Sequence, residues 1–248
     1  MSQPKDLFSG HSSEYAIFRP AYPKVLYDFI VSHLKEREFA WDCGCGNGQV
    51  AHDLVPYFKK IAATDLSAKQ IEKAVPAATI SYSVSAAEHT PFPDHAFDLI
   101  TVGQALHWFD LPEFYKEVRR VAKPDGLLAV WGYGLLHIHP LIDQHIHHFY
   151  TEVIGSYWDK ERKLIDEEYK TIPFPFEEIA SPPFDFQLDW TIHQLQGYLT
   201  TWSSVQKYIQ RNGHNPVDDL IKRLEPLWTN KIMKVTFPLF MRLGKVQL

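Results

Sequence analysis

Asp42-Cys43-Gly44-Cys45-Gly46-Asn47-Gly48 follows the apolar run Phe39-Ala40-Trp41 and precedes a stretch at Gln49 whose apolar residues recur at helical spacing. The order is strand, glycine loop, helix, which is the architecture of a nucleotide-cofactor turn. Glycine lets the backbone turn tightly and approach a ligand without side-chain collision, and a helix start offers unpaired N–H groups.

Two cofactor classes compete for such a loop. A dinucleotide site built on Gly44 and Gly46 requires a further glycine at position 49. That position is Gln49, and the spacing here is Gly-x-Gly-x-Gly with an acid two residues ahead. Asp65 closes the next apolar run, 19 residues beyond Gly46, where a carboxylate accepts ribose hydroxyls in either class. Asp42 separates them. An acid there suits a cationic ligand group and repels a pyrophosphate. S-adenosylmethionine carries an ammonium and a sulfonium and no phosphate, so the charge pattern favours it.

Working outward, short apolar runs alternate with amphipathic segments through the first half, predicting a mainly parallel sheet flanked by helices. A helix is expected from Pro20 or Pro23 to about residue 35, with Leu26, Phe29, Ile30 and Leu34 on one face. Strands are expected at 39–43, 61–65, 79–84, 97–102 and 127–131, the last entered through a turn at Lys123-Pro124-Asp125-Gly126. Ser67 with Gln70 and Asp110 with Glu113 have the spacing of capping pairs. After Gly134 the pattern loosens into a histidine-rich helix, charged runs and several prolines, read as a cap that continues into a strand near 184–190; the charge run Glu161–Lys170 reads as a solvated helix. Helices at 194–211 and 216–228 and a closing strand at 234–240 complete the chain. The expected organisation is one domain. Residues 1–35 form a lid and helix, 36–134 the cofactor core, 135–190 the cap, and 191–248 the terminal helices and strand.

Asp42-x-Gly44-x-Gly46-x-Gly48, Asp65-Leu66-Ser67, Ala87-Glu88-x-x-Pro91-Phe92-Pro93-Asp94-x-x-Phe97-Asp98, Leu106-His107-Trp108 and Lys123-Pro124-x-Gly126 occur in that order. Together they resemble the class I S-adenosylmethionine-dependent methyltransferases, and most closely the small-molecule branch of trans-aconitate-type and ubiquinone-biosynthesis-type enzymes. The resemblance covers roughly residues 8–132. It implies a Rossmann-like, doubly wound, mostly parallel seven-stranded α/β sheet with an antiparallel closing strand and a mainly helical cap. It implies S-adenosyl-L-methionine as cofactor, with Gly44, Gly46 and Gly48 against its methionine part and Asp42 at its amino group. Asp65 would take the ribose, Leu66 the adenine face, Ala87 and Glu88 the adenine edge, Gln104 the methionine end, and Arg19 the carboxylate. The family often has an aspartate where this chain has Ala86, so that adenine contact is missing or supplied from elsewhere.

His107 and Tyr15 are the candidate catalytic residues, either being a possible base for a phenol, amine or hydroxyl acceptor. The alternative for His107 and Trp108 is packing, with His107 orienting its loop. Cys43 and Cys45 are too few for a closed zinc site and read as small packed residues. His137, His139, His145, His147 and His148 lie beside an ordinary core stripe, and no metal is expected. The formal charge of −5, with no basic run, argues against nucleic acid. No apolar run approaches the roughly 18 residues of a membrane span, and a cytoplasmic location is expected. The expected partner is a small-molecule methyl acceptor, with a carboxylic acid leading by family likeness. An NAD(P)-dependent oxidoreductase and a non-catalytic cofactor-binding regulator remain the alternatives.

Overall fold

The computed structural model describes residues 20–247. Its first element, helix α1 (Lys24–Ser32), starts behind Pro23 and buries Leu26, Tyr27, Ile30 and Val31. Strand β1 (Phe39–Cys43) runs into the glycine loop and helix α2 (Gln49–Leu54). Then come β2 (Lys60–Asp65), a single turn α3 (Ala68–Ile71), β3 (Ile80–Val84) and β4 (Phe97–Gly103). A 3₁₀ turn (Leu106–Trp108) leads to α4 (Leu111–Val121) and the long β5 (Ala122–Tyr133).

The strands are ordered β3-β2-β1-β4-β5, all parallel. The chain moves outward from β1 to β3, then returns to place β4 on the other side of β1. That reversal opens a crevice at the carboxyl ends of β1 and β4, where open α/β sheets hold ligands. The glycine loop and Gln104 lie at its two lips.

Alternation along each strand divides the core. Ala40, Leu99, Leu127, Ala129 and Trp131 face one hydrophobic cluster with α1 and α2. Trp41, Ile100, Val102, Leu128 and Val130 face another with Phe114 and Val118 of α4. Strands buried on both faces read as continuous apolar runs, which is why these segments were legible.

Beyond β5 come α5 (Pro140–His148), extended by a π-helical turn (Phe149–Val153), and the short α6 (Arg162–Asp166). They are followed by β6 (Glu177–Ile179) and β7 (Phe184–Trp190), then α7 (Ile192–Thr200), α8 (Ser203–Asn212), α9 (Val217–Leu224) and β8 (Met233–Lys245). β8 pairs antiparallel with β5. On its other side β6 pairs with residues 243–245 and β7 with residues 233–239. Pro182 and Pro183, which cannot donate to a ladder, interrupt what is otherwise one edge strand. Eight strands therefore occupy seven positions, and the sheet is Rossmann-like, doubly wound and mostly parallel with an antiparallel closing strand.

Several local expectations are corrected. The helix expected at 194–211 is two, broken at Thr201 and Trp202, where Gln206 Nε2 donates to the Thr200 carbonyl (2.6 Å). Ser67 forms no side-chain cap; its N–H instead donates to Asp65 Oδ1 at 2.8 Å, and α3 ends after four residues. Asp110 does cap α4, but its own N–H donates to Glu88 at 2.9 Å, leaving Glu113 to pair with Lys116. The stretch 161–170, read as a solvated helix, is helical only over α6 and buries Ile165 and Tyr169.

Asp98 shows how a motif residue serves the frame. Its buried carboxylate accepts the Glu38 and Phe39 N–H groups at 2.9 Å each and pairs with Lys123 at 2.6 Å. It joins the starts of β1, β4 and β5. Asp98→Ala leaves two N–H groups and an ammonium without their shared acceptor, so urea denaturation should show a loss of about 2–4 kcal/mol at unchanged m. A change under 1 kcal/mol would refute that role.

Candidate functional site

The glycine loop is shaped from within. Gly44, Gly46 and Gly48 all have positive φ, +68°, +55° and +84°. A Cβ on Gly48 would lie 2.3 Å from the Tyr82 hydroxyl, so glycine is needed there for internal packing. A Cβ on Gly46 would meet nothing within 4 Å. Its outer surface is an open cradle at the crevice.

Beneath the loop sits Asp42, only 1% exposed. The Thr101 hydroxyl of neighbouring β4 donates to Oδ1 at 3.1 Å, while Oδ2 is buried with no hydrogen-bond partner among the described residues. Burial lifts its pKa to about 7, against the lowering effect of the Thr101 bond. Asp42 is thus a buried acid with one oxygen held by a hydroxyl and the other left without a hydrogen bond from the described residues.

Asp65, at the end of β2, accepts the Gly46 N–H on Oδ2 and the Ser67 N–H on Oδ1, both at 2.8 Å. It therefore braces the loop as well as facing the crevice. Leu66, next along, is 45% exposed, an apolar surface at the lip. Ala87 is buried, and Glu88 is fixed by the Asp110 N–H. The loop they belong to is tied to α4: Glu117 accepts the Thr90 N–H and hydroxyl, and Arg120 reaches Glu117, Asp94 and the Phe92 carbonyl.

On the other lip Gln104 has φ +58°, a conformation that costs a non-glycine residue about 1–3 kcal/mol. Its N–H donates to the Trp131 carbonyl at 2.9 Å and its Nε2 to the Tyr133 carbonyl at 3.3 Å. Those bonds fix the turn to β5. Tyr22 packs edge-on against Trp131 (5.5 Å between centroids) and near Tyr133, and the Pro20 carbonyl accepts from Gln49 Nε2. Tyr15 and Arg19 lie outside the described residues.

His107 shares a 2.9 Å hydrogen bond through Nδ1 with the Tyr169 hydroxyl. Burial, helped by the charge of Arg162, pushes its pKa down to about 3, so the imidazole is neutral across physiological pH. Tyr169 follows Glu168, both at positive φ (+57° and +55°). Burial raises its hydroxyl far above the usual range. Sequence reasoning missed Tyr169, Arg162 and Tyr82, whose roles depend on contacts between distant segments.

Among the described residues no group of three or more His, Cys, Asp and Glu is placed to hold a metal. His139 caps α5, and His137, His147 and His148 line an open groove of about 490 Å³. Cys43 and Cys45 are free and buried, and burial raises both thiols.

Residues 41–130 match a methyltransferase domain. A Dictyostelium discoideum protein bearing a methyltransferase name is 36% identical over 249 residues, spanning 97% of this chain and 95% of the relative. The chain belongs to the class I S-adenosylmethionine-dependent methyltransferases. A solved Anaeromyxobacter dehalogenans structure described as a type II methyltransferase is similar at 34% identity and TM-score 0.86, covering 93% of this chain and 99% of that one. A Saccharomyces cerevisiae protein named as an S-adenosylmethionine-dependent methyltransferase is 21% identical over 241 residues, 83% of each chain. The cofactor of this methyltransferase is S-adenosyl-L-methionine, and the open Gly46 cradle and the unpartnered Asp42 oxygen fit it.

The Asp42 carboxyl has a definite pH signature. Its folded pKa lies above its unfolded value near 4, so the stability it confers is complete below about pH 4 and is lost as pH rises through about 7. Asp42→Asn removes that slope. Melting of the cofactor-free variant relative to wild type should improve between pH 5 and pH 8, by on the order of 2–4 kcal/mol. S-adenosylhomocysteine should bind the same variant at least roughly tenfold more weakly. Parallel pH–stability curves for the two proteins would contradict the assignment.

Proposed function

We propose that this enzyme methylates a small-molecule carboxylic acid, with Asp42 and the glycine loop holding the cofactor and residues 135–190 selecting the acceptor. The observation that carries the reading is the state of His107. The imidazole at the carboxyl edge is partly buried, bonded to Tyr169 and held neutral. With a pKa near 3 it is too weak a base to deprotonate a phenol or amine. A carboxylate needs no deprotonation at neutral pH.

S-adenosylmethionine, when bound, supplies a methyl group already activated on a sulfonium. The chain's own contribution is to bind, to orient and to exclude water. Asp42 would receive the ammonium, Asp65 the ribose hydroxyls, and Leu66 and Ala87 the adenine, with Glu88 beside it. Gly46 allows close approach along the methionine part, while Gly44 and Gly48 shape the loop by packing against Ala105 and Tyr82, and Gln104 presents its strained turn opposite them. Arg19 stays the proposed partner of the cofactor carboxylate. Trp131 and Tyr133, with Tyr22 against them, supply an apolar wall that limits water.

Calorimetric titration tests the cofactor half of the reading. S-adenosylmethionine and S-adenosylhomocysteine should bind wild type at micromolar levels and Asp65→Ala at least tenfold more weakly, since the variant loses both a ligand group and a brace of the loop. NAD(P) should not bind, because its pyrophosphate meets Asp42. Binding of NAD(P) alone would instead establish a dinucleotide enzyme, and cofactor binding without transfer to any acceptor would mark a regulator.

Transfer of labelled methyl to a panel of carboxylic acids, phenols and amines tests the acceptor half. Carboxylic acids should be labelled, with kcat at saturating cofactor flat from pH 6 to 8. His107→Gln and Tyr15→Phe should each keep activity within about fivefold, whereas loss of a general base costs roughly 10²–10⁴-fold. A hundredfold loss in either variant, or labelling confined to phenols and amines, would overturn the base-free reading.

A further inference from the structure

We infer that Arg162 is the anchor for an anionic group of the methyl acceptor, receiving a carboxylate on its two terminal nitrogens. The inference rests on the carboxylic-acid reading above and names the residue that would enforce it.

Three observations converge on Arg162. The first is position. It opens α6, which packs on the 3₁₀ turn Leu106–Trp108 that follows β4 at the carboxyl edge of the sheet. Its charge is felt at His107, on that turn. The second is its unused hydrogen-bonding capacity. A guanidinium has five N–H donors. Nε donates to the Tyr150 hydroxyl at 2.7 Å and lies 3.3 Å from Asp166. Among the described residues Nη1 and Nη2 of Arg162 have no hydrogen-bond partner.

The comparison with two other partly buried arginines sharpens this. Arg120 spends its terminal nitrogens on Asp94, Glu117 and two carbonyls, and Arg242 spends its own on Glu178 and the carbonyls of Tyr169 and Ile172. Both are built into the frame. Arg162 has only 23% of its side chain exposed, yet its terminal fork is unclaimed.

The third observation is orientation. The guanidinium carbon lies 4.9 Å from the Trp158 ring and 5.4 Å from the Tyr150 ring. Trp158 is itself fixed, its Nε1 donating to the Tyr150 carbonyl at 3.3 Å. Two ring contacts and the Nε bonds hold the stem and inner edge of the group, while the Nη edge stays open. A planar fork of this kind matches a carboxylate with two parallel hydrogen bonds, which an ammonium cannot reproduce. The nearby Lys160 and Lys163 are 90% and 78% exposed, solvated charges without that geometry.

The test uses the full chain loaded with S-adenosylhomocysteine and titrated with glutarate, tricarballylate and benzoate, and with the corresponding amides. The same acids serve as acceptors in methyl-transfer assays with S-adenosylmethionine. Wild type should bind at least one acid and not its amide. Arg162→Gln should weaken that acid roughly 10- to 100-fold, the range lost with hydrogen bonds to a charged group. Its affinity for S-adenosylhomocysteine should be unchanged. Arg162→Lys keeps the charge and loses the fork, so it should fall between the two and raise KM more than it lowers kcat. If Arg162→Gln does not fold, as judged by its melting curve, Arg162→Lys decides alone through its KM.

Equal acid affinity in wild type and variant, with wild type methylating carboxylic acids, would remove Arg162 as anchor and leave the proposed function standing. Wild type that neither binds nor methylates any of the acids would remove both.

Discussion

The site is organised around a carboxylate placed where water cannot reach it and where the protein supplies only part of what it needs. Asp42 lies on β1 opposite Thr101 of β4, at the reversal of strand order. The Thr101 hydroxyl binds one oxygen, and nothing among the described residues binds the other. A buried, singly bonded carboxylate is costly to keep. It is tolerable in a marginally stable domain only if the surrounding frame is strong, and the frame is: β1 is paired on both sides and buried on both faces. The glycine loop then becomes intelligible as the roof over this charge. Asp65 pins it from β2, and Gly46 leaves its outer face open.

Strain is distributed in the same economy. Gln104, Glu168 and Tyr169 all hold left-handed backbone without being glycine. Gln104 and Tyr169 are over-determined by their neighbours. Gln104 is bonded to two carbonyls of β5. Tyr169 is fixed by His107 through its hydroxyl, by Phe240 through its ring, and by Arg242 through its carbonyl. These contacts join the post-β4 turn, the segment after α6 and the closing strand β8 into one unit. The cofactor side is held separately, by Asp65 and by the Glu117–Arg120 tie beneath the Ala87 loop.

Much of this was legible because parallel strands buried on both faces announce themselves. β1 to β5 were placed within a residue or two, apart from the early start of β5, where residues 123–126 were read as a turn and form an irregular part of the strand. The glycine loop with Asp42 and Asp65 could be read from charge and spacing alone. The partial neutralisation of Asp42 could not, because it depends on burial and on one hydroxyl 59 positions away. Residues 161–170 misled the reading for the same kind of reason. Their charges suggested a solvated helix, but Ile165 and Tyr169 point into the core and Arg162 is held by aromatic rings from residues 150 and 158. Local patterning reports strands and caps well, and it is blind to what a side chain meets across the fold.

The electrostatic layout favours the proposed chemistry over its rivals on one further ground. Negative groups, Asp42 and Asp65, lie at the cofactor end, while Arg162 stands at the post-β4 end near a neutral His107. Trp131, Tyr133 and Tyr22 pack on one another beside the carboxyl end of β5 as an apolar wall. In such a low-dielectric space a reaction that brings a cation and an anion together and leaves neutral products is assisted, since the charges to be desolvated disappear as it proceeds. Methylation of a carboxylate by a sulfonium has that charge balance. Methylation of an amine creates a new cation in place of the old one, and the site would then need a base to take the released proton. The only imidazole on the post-β4 turn is His107, which the fold holds neutral, partly buried and bonded to Tyr169.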